Sequence, residues 1–188
     1  IKLNAVEDPA TTQSITWMSS PLASADAAVV KYATAADYAA NGDAALITVE
    51  GTSVVSDMAS SGAVATNYAV RINTVELTGL TPNTDYVYFA GDGTLMTTEA
   101  KTFSTSGGNQ NTNFFVIGDT QATDVTNTSI IAGLLANSGI DFDFGLQTGD
   151  AVDNGGNYVM WEAIAKIFSD AFLGSQDMIH VLGNHEYY

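Results

Sequence analysis

Three short apolar segments in the last third of the chain each lead into a polar turn that begins with glycine. The segments are residues 114–117, 142–146 and 178–182, and the turns that follow them are residues 118–121, 149–153 and 183–186. Apolar strands that alternate with helices form parallel sheets, which gather their loops at the carboxyl ends of the strands. The sequence therefore predicts that the three turns converge at one edge of a sheet.

The residues at these turns are of types that bind metal ions. Asp119 and Asp150 each follow a glycine, and the third turn carries Asn184 and His185. Two aspartates without a cation repel each other, whereas a carboxylate shared by two cations lets them lie about 3.5–4 Å apart, as in two-metal hydrolytic sites. Carboxylate and amide oxygens beside an imidazole therefore predict a site for hard or borderline metal ions.

Between the apolar segments the periodicity is helical. The first pattern ends at Gly139, and the second runs from about residue 158 to 173. The apolar positions are Ile130, Ile131, Leu134 and Leu135 in the first pattern, and Trp161, Ile164, Phe168 and Phe172 in the second. Residues 114–188 are thus expected to form a partial α/β layer of order β-α-β-α-β, with both helices on one side of the sheet.

Residues 1–105 show short alternating segments separated by turn signals. The predicted strands are residues 14–18, 29–32, 46–49, 54–55, 67–73, 86–89 and 102–103. Gly51 is expected to break the third strand from the fourth, and Tyr68, Val70 and Ile72 are expected to face inward. About seven short strands at this spacing predict an all-β, immunoglobulin-like sandwich. Residues 106–113 are polar and glycine-containing, so we interpret them as the linker to the α/β part.

Composition narrows the classes of partner. Lys and Arg number 5 against 21 Asp and Glu, a formal net charge of −16, which repels nucleic acid and anionic membranes. The absence of cysteine excludes disulfides, thiol catalysis and cysteine-bound zinc. No apolar run approaches the length of a membrane span. These properties fit a secreted or cell-surface bacterial protein, so an extracellular location is the expectation, with a leader removed before Ile1.

The segment 77–86, read with an inward Trp17, resembles a fibronectin type III domain over about a hundred residues. It contains Leu80, Pro82, Thr84 and Tyr86 in the spacing that this family uses at the corner before a central strand. The resemblance implies that Trp17 and Tyr86 belong to the sandwich core.

The three turns together resemble the calcineurin-like metallophosphoesterase superfamily, and the sandwich in front of them resembles its purple acid phosphatase branch. The resemblance implies that Asp119 binds one metal ion, Asp150 bridges two, and Asn184 binds the second through its amide oxygen. It implies that His185 is catalytic and contacts the phosphoryl group or the leaving oxygen. The implied activity is hydrolysis of phosphoric esters at a dinuclear centre of iron, zinc or manganese, the metal identity and the substrate being open.

Two positions depart from the family pattern. Gln121 stands where many members carry a metal-binding histidine, so it is either a neutral oxygen ligand or a donor behind the ligands. Asp153 stands where purple acid phosphatases carry the tyrosine that colours their iron, so a purple protein is not expected. Asp153 is expected to bond loop amides or a water on the metal.

The chain has only two histidines, His180 and His185. The family supplies three further histidine ligands after the Gly-Asn-His-Glu turn, so we expect a longer parent enzyme of which this chain is the amino-terminal part. As given, the chain is expected to bind metal weakly or not at all, to be nearly inactive, and to self-associate through a bare sheet face. His180, within an apolar segment, is interpreted as a core or interface histidine.

A second class of function stays open from the sequence. A fibronectin-like domain on an acidic secreted chain is also typical of a binding or adhesion module, with a degenerate phosphoesterase-like part attached. Fold resemblance alone does not separate these alternatives. The sequence encoded beyond Tyr188 would do so, since a Gly-His-x-His segment there would favour the enzyme.

Overall fold

The computed structural model describes residues 1–20, 27–59, 67–107, 111–121, 126–172, 175 and 177–187. The chain divides into two compact units. The first comprises Ile1, Leu3–Val55 and Arg71–Gln110, and the second comprises Lys2, Ser56–Val70 and Asn111–Tyr188. The predicted boundaries at residues 105 and 114 stay a prediction. Among the described residues, no helix has the length and apolarity needed to cross a membrane.

The first unit is built from antiparallel strands. Its described elements are β1 (Lys2–Asn4), β2 (Thr12–Ser19), β3 (Ala28–Thr34), α1 (Ala35–Asn41), a 3-10 turn (Gly42–Ala45), β4 (Ile47–Ala59), β5 (Asn67–Thr78), β6 (Asp85–Gly91) and β7 (Lys101–Ser104). Lys2 of β1, residues 56–59 of β4 and residues 67–70 of β5 are counted with the second unit. Neighbouring strands follow the order β7-β6-β3-β4-β5-β2-β1. Ile15 pairs with Val75 across β2 and β5, and Tyr86 pairs with Phe103 across β6 and β7. A mostly β, sandwich-like architecture is therefore confirmed for this part.

The core of the first unit is apolar and aromatic. Ile15, Val30 and Tyr88 are fully buried, and Trp17 packs against the same cluster. The rings of Tyr86 and Phe103 stack with their centroids 5.1 Å apart. The backbone N–H of Thr81 donates to Tyr86 Oη at 2.8 Å, the type of tyrosine corner found in immunoglobulin-like sandwiches. The predicted core role of Trp17 and Tyr86 is confirmed.

Three details of this unit differ from expectation. The helix α1 was not predicted; Thr34 begins it, since its side chain accepts from Asp37 N. Gly51 does not break β4, which runs through it. Its role is to let a neighbouring backbone approach closely, since a Cβ at this position would lie 2.0 Å from Thr74 O.

The inward face of β5 also differs. Burial alternates through Arg71, Asn73, Val75 and Leu77, whereas Ile72 is only half-buried. The side chain of Tyr68 lies outside the described residues. Val70 is buried as predicted. The expectation is wrong for Ile72, because polar side chains occupy the inward positions on either side of it, and Asn73 donates to the Trp17 carbonyl at 3.3 Å.

The second unit combines parallel strands with helices. Its described elements are β8 (Phe114–Ile117), α2 (Thr126–Ala136), β9 (Phe144–Gln147), α3 (Tyr158–Ala171), β10 (Asp177–His180) and a 3-10 turn (His185–Tyr187). Both β8 and β10 pair in parallel with β9. The side chain of Asn157 begins α3 by accepting from Val159 N. Strand β9 starts two residues later and ends one residue later than the predicted segment 142–146. Strand β10 starts one residue earlier and ends two residues earlier than the predicted segment 178–182.

One face of this parallel sheet carries the core of the unit. Phe115 and Met178 pack with Ala132 of α2 and with Ile164 and Phe168 of α3. Gly145 lies beneath them, since a Cβ there would lie 2.2 Å from the ring of Phe115. Residues from both helices thus share one apolar cluster with this face.

The alternate positions of the same strands are far more exposed. Phe114 and Val116 are 51% and 52% exposed, whereas Phe115 between them is 5% exposed. The rings of Phe114 and Phe144 stack with their centroids 5.1 Å apart.

Candidate functional site

The turns that follow β8 and β9 place their aspartates in an uncommon backbone conformation. Asp119 has φ 51° and Asp150 has φ 50°, both in the left-handed region. Aspartate and asparagine tolerate this region better than other residues that carry a Cβ. In the first turn the left-handed backbone therefore lies at Asp119 and not at Gly118, whereas in the second turn both Gly149 and Asp150 have a positive φ.

The glycines of these turns serve close approach between backbones. A Cβ at Gly118 would lie 2.3 Å from Thr148 Oγ1, and one at Gly183 would lie 2.3 Å from Asp150 Oδ1. Gly149, with φ 114°, would place a Cβ 2.8 Å from Gly183 N. Turns packed this tightly cannot accept larger residues without moving apart.

Backbone hydrogen bonds tie the first turn to the second. Asp119 N donates to Gly149 O at 3.1 Å, and Gln121 N donates to Asp150 O at 3.0 Å. The strands before these turns are already in register, with Ile117 opposite Gln147. The turns that carry Asp119, Gln121 and Asp150 therefore lie side by side at one sheet edge.

The third turn is tied to the second through Glu186. Its Oε2 accepts from Asp150 N at 2.8 Å and from Gly183 N at 2.6 Å. Its Oε1 accepts from Ala151 N at 2.8 Å and from Val152 N at 3.3 Å. Partial burial acts to raise the pKa of Glu186, but these backbone donors outweigh it and hold the pKa below its usual value. The carboxylate is thus a stable anion that joins the two turns.

His185 is fixed from two sides. Its backbone N–H donates to Asp150 Oδ1 at 2.9 Å, and its Nδ1 lies 2.8 Å from the carbonyl oxygen of Asp153. Because a carbonyl only accepts, Nδ1 is the ring nitrogen that carries the proton in this contact. The bond to the Asp153 carbonyl raises the pKa of His185; burial opposes this, and the carboxylates of Asp150, Asp153 and Glu186 add to it.

A buried polar network centred on Gln147 of β9 contacts the first and second turns. Gln147 is fully buried; its Nε2 donates to Thr120 Oγ1 at 3.0 Å, and its Oε1 accepts from Gly149 N at 3.3 Å. The hydroxyl of Thr128, at the start of α2, donates to Thr120 O at 3.2 Å. The network links β9, the first turn and α2.

The predicted metal ligands differ in burial. Asp150 is 8% exposed, Asp119 and Asn184 are exposed, and Gln121 is half-buried. Gln121 Oε1 is inaccessible to solvent and accepts no hydrogen bond. An amide oxygen in that state has unused capacity to bind a cation, which fits a metal-binding role. Across the described residues, however, no three His, Cys, Asp or Glu side chains form a group able to hold a metal ion.

A model of the family described as "Purple acid Phosphatase, N-terminal domain" matches residues 1–105. The chain belongs to the purple acid phosphatase family. This family membership confirms the resemblance drawn from the sequence, and purple acid phosphatases use dinuclear metal centres. It does not test which residues of this chain serve such a centre, so the roles of Asp119, Asp150, Asn184, Gln121 and His185 stay predictions.

The chain is also similar in fold to a purple acid phosphatase isolated from yellow lupin (Lupinus luteus) seeds. The TM-score is 0.72 at 14% sequence identity, and the match covers 98% of this chain. The chain spans only 35% of the length of the lupin enzyme. At this identity the likeness shows the fold alone.

Two other solved structures match more weakly. One is the sensor domain of the anti-sigma factor RsgI4 of Pseudobacteroides cellulosolvens, with 13% identity, coverage of 56% of this chain and 92% of that one, and a TM-score of 0.34. The other is a redesigned β-sandwich protein, with 19% identity, coverage of 59% and 92%, and a TM-score of 0.33. Neither carries an argument about function. No curated protein matched the chain by sequence.

Sequence reasoning missed the polar residues that organise the purple acid phosphatase turns. Glu186 was part of the third motif but received no role, and Gln147 was left just outside the predicted apolar segment 142–146, although it is the last residue of β9. A lone glutamine at the end of a buried strand is a usable signal, because a buried amide requires partners. Nothing in the sequence indicates that Glu186 reaches the turn some 35 residues earlier in the chain.

Proposed function

We propose that this chain supplies part of the dinuclear centre of a phosphoric ester hydrolase of the purple acid phosphatase family. In this proposal Asp119, Gln121 and Asn184 contribute oxygen ligands, Asp150 bridges the two metal ions, and His185 acts on the phosphoryl group. The observation that carries the proposal is the hydrogen bond from His185 N to Asp150 Oδ1, since it brings the histidine turn against the proposed bridging carboxylate.

Asp150 retains the capacity that a bridging role requires. An ionised carboxylate offers about four lone-pair sites, and the His185 N–H uses one of them on Oδ1. Two metal ions, when bound, would activate water and neutralise charge on the phosphoryl group. Among the described residues, no second hydrogen bond to the Asp150 carboxylate competes with such binding.

His185 has the orientation and the protonation that its proposed role needs. The Asp153 carbonyl fixes the ring through Nδ1, so Nε2 is the atom that would donate to the leaving oxygen. The raised pKa of His185 favours the protonated ring, which is the form able to give up a proton. Asp153 therefore acts here through its backbone carbonyl, with its carboxylate 3.6 Å from Nδ1.

The remaining ligands are proposed to come from residues outside this chain. The chain has two histidines and spans 35% of the lupin enzyme, so the activity of a whole protein is inferred and not contained here. An extracellular or cell-surface location in a bacterium, and a fibronectin type III identity for the sandwich, remain part of the proposal. Self-association through the face that carries Phe114 and Val116 is proposed because about half of each side chain is exposed.

Hydrolysis of p-nitrophenyl phosphate by the complete protein, with added Mn²⁺ or Zn²⁺, tests the function. Asp150→Asn removes the charge and keeps the shape, and it is expected to lower kcat by roughly 100-fold or more. Asp141→Asn is the matched control, since Asp141 is exposed and lies outside the three turns. Equal rates in the wild type and Asp150→Asn would remove Asp150 from the mechanism, and absence of hydrolysis in the wild type would favour the binding-module alternative.

A further inference from the structure

The second and third turns exchange hydrogen bonds in both directions. Glu186 of the third turn accepts from Asp150 N, Ala151 N and Val152 N of the second. In return, Asp150 Oδ1 accepts from His185 N. Each turn thus supplies a carboxylate that accepts from backbone donors of the other.

Within the third turn, Glu186 also fixes its own chain. Gly183 N donates to the same oxygen, Oε2, that accepts from Asp150 N. A single oxygen atom therefore binds the start of the third turn and the aspartate of the second. The position of Asn184, directly after Gly183, follows from this shared contact.

We infer that Glu186 is a positioning residue that holds the 149–152 and 183–185 turns together so that Asp150 and Asn184 face one metal site. The inference rests on the proposed function for the metal site, but the contacts that carry it do not. It assigns a role to a residue outside the proposed set of metal ligands. Such outer partners typically change metal affinity or activity by about 10- to 100-fold when they are altered.

The chemistry of the contact requires a carboxylate. Both oxygens of Glu186 face backbone N–H groups, two on each oxygen. In Glu186→Gln an NH2 group replaces one oxygen and meets N–H donors with another donor, so the contacts on that side are lost. Bonds from N–H groups to a charged acceptor are among the stronger hydrogen bonds in proteins, so the loss affects both turns.

The length of the side chain matters as well. Glu186→Asp keeps the charge and both acceptor oxygens but is one methylene shorter. Because the carboxylate must reach Gly183 N on its own turn and Val152 N on the other, the shorter chain is expected to keep one set of contacts and lose the other. It therefore serves as an intermediate variant, and as the deciding one if Glu186→Gln fails to fold.

The first measurement is amide hydrogen exchange by NMR on the metal-free chain. In Glu186→Gln the amides of Asp150, Ala151 and Gly183 are expected to exchange roughly 10- to 100-fold faster than in the wild type. Core amides of β8, such as Phe115, are expected to keep their rates. Glu162→Gln is the matched control, with the same change in charge at an exposed position of α3.

The second measurement is the broadening of amide signals by Mn²⁺. The Mn²⁺ concentration that this broadening requires would not change if Glu186 had a purely structural role. Metal binding by this chain alone is expected to be weak, and paramagnetic broadening detects weak binding. In the wild type, excess Mn²⁺ is therefore expected to broaden the amides of Asp119, Asp150 and Asn184 together. In Glu186→Gln the same broadening is expected to need roughly 10- to 100-fold more Mn²⁺, with partial recovery in Glu186→Asp.

Each of the following outcomes would count against the inference. Unchanged exchange at both turns in Glu186→Gln, or equal acceleration throughout the unit, would show that Glu186 does not position these turns. If Glu186→Gln and Glu162→Gln both broaden at the same Mn²⁺ concentration as the wild type, Glu186 has no effect on metal binding at this site. A wild type that Mn²⁺ does not broaden at these amides would overturn a role of Glu186 toward a metal ion in this chain, and the exchange rates would still decide whether Glu186 positions the turns.

Discussion

The two units of this chain each contain a stacked pair of aromatic rings, and the two pairs differ in burial. Tyr86 and Phe103 in the sandwich, and Phe114 and Phe144 in the parallel sheet, have their ring centroids at the same distance of 5.1 Å. Phe103 is 3% exposed and Phe114 is 51% exposed. The same ring geometry therefore completes a core in one unit and covers an open face in the other.

The comparison teaches that the two units are organised by different forces. The sandwich encloses its inward side chains, so burial of apolar surface dominates its stability. The parallel sheet buries one face only, and its turns depend on polar contacts made by Glu186 and Gln147. The proposed function belongs to the second unit, in which β8 has one buried and one exposed face.

The largest expected effect is in the sandwich core. Phe103→Ala is expected to lower the free energy of unfolding of the first unit by about 3–5 kcal/mol, because it leaves a cavity beside Tyr86 and Tyr88. The measurement is urea unfolding followed by the fluorescence of Trp17 in a Trp161→Phe background. A loss no larger than that of Phe114→Ala would contradict the contrast between the units.

A pH-dependent effect of intermediate size is expected from His180. Burial lowers its pKa from 6.5 to about 4; the nearby Lys2 ammonium pushes the same way and Glu186 opposes it. The unfolded chain therefore binds a proton below pH 6.5 that the folded chain does not bind until about pH 4. Stability should fall as the pH drops through this window, by up to about 3 kcal/mol.

Urea unfolding of the second unit between pH 4.5 and 7, followed by Trp161 in a Trp17→Phe background, checks this effect. His180→Gln should flatten the pH dependence relative to the wild type, and parallel curves would disprove the contribution. His185 provides the opposite sign: its raised pKa gives stability that is present at low pH and is lost as pH rises through its folded value. An NMR titration should place its midpoint above that of His180.

Removal of the buried polar network should have a smaller effect. Gln147→Met keeps the volume of the side chain but leaves Gly149 N and Thr120 Oγ1 without this partner, which is expected to cost about 1–3 kcal/mol. The measurement is unfolding of the second unit by the Trp161 signal. A neutral or stabilising result would show that apolar packing can replace the network.

The smallest effect on stability is expected on the open face. Phe114→Ala should cost less than about 1 kcal/mol, because half of the ring is already exposed. Phe115→Ala is the control on the buried face, with a cost of about 3–5 kcal/mol. If the chain self-associates through this face, light scattering at high concentration should show less oligomer in Phe114→Ala. A strictly monomeric wild type would contradict the proposed association.

The same contrast explains how much the sequence alone could predict. Period-two alternation located the sandwich strands, and helical spacing located α3 to within two residues, because both patterns reflect burial on one side. The open face of β8 did not follow from periodicity, since residues 114–117 are all apolar; it was expected from the missing half of the family fold. Helix α1 was missed, since it is short and contains no buried residue.

The contacts between turns could not be predicted in the same way. Convergence of the turns followed from the rule for parallel strands, but the partners of Glu186 depend on side-chain geometry across distant segments. The inward Arg71 and Asn73 were missed for a related reason, because their burial depends on partners such as Ser53 and Trp17 elsewhere in the sandwich. Periodicity carries information on burial and none on such partners.

The left-handed backbone at Asp119 and Asp150 limits which residues evolution can place there. Asparagine and glycine accept φ near 50°, whereas alanine and β-branched residues do so at a cost of roughly 1 kcal/mol or more. A lineage that abandoned metal chemistry while keeping this fold would thus drift toward asparagine or glycine at both positions. Relatives with asparagine or glycine at both sites would mark where catalysis was lost and the architecture survived.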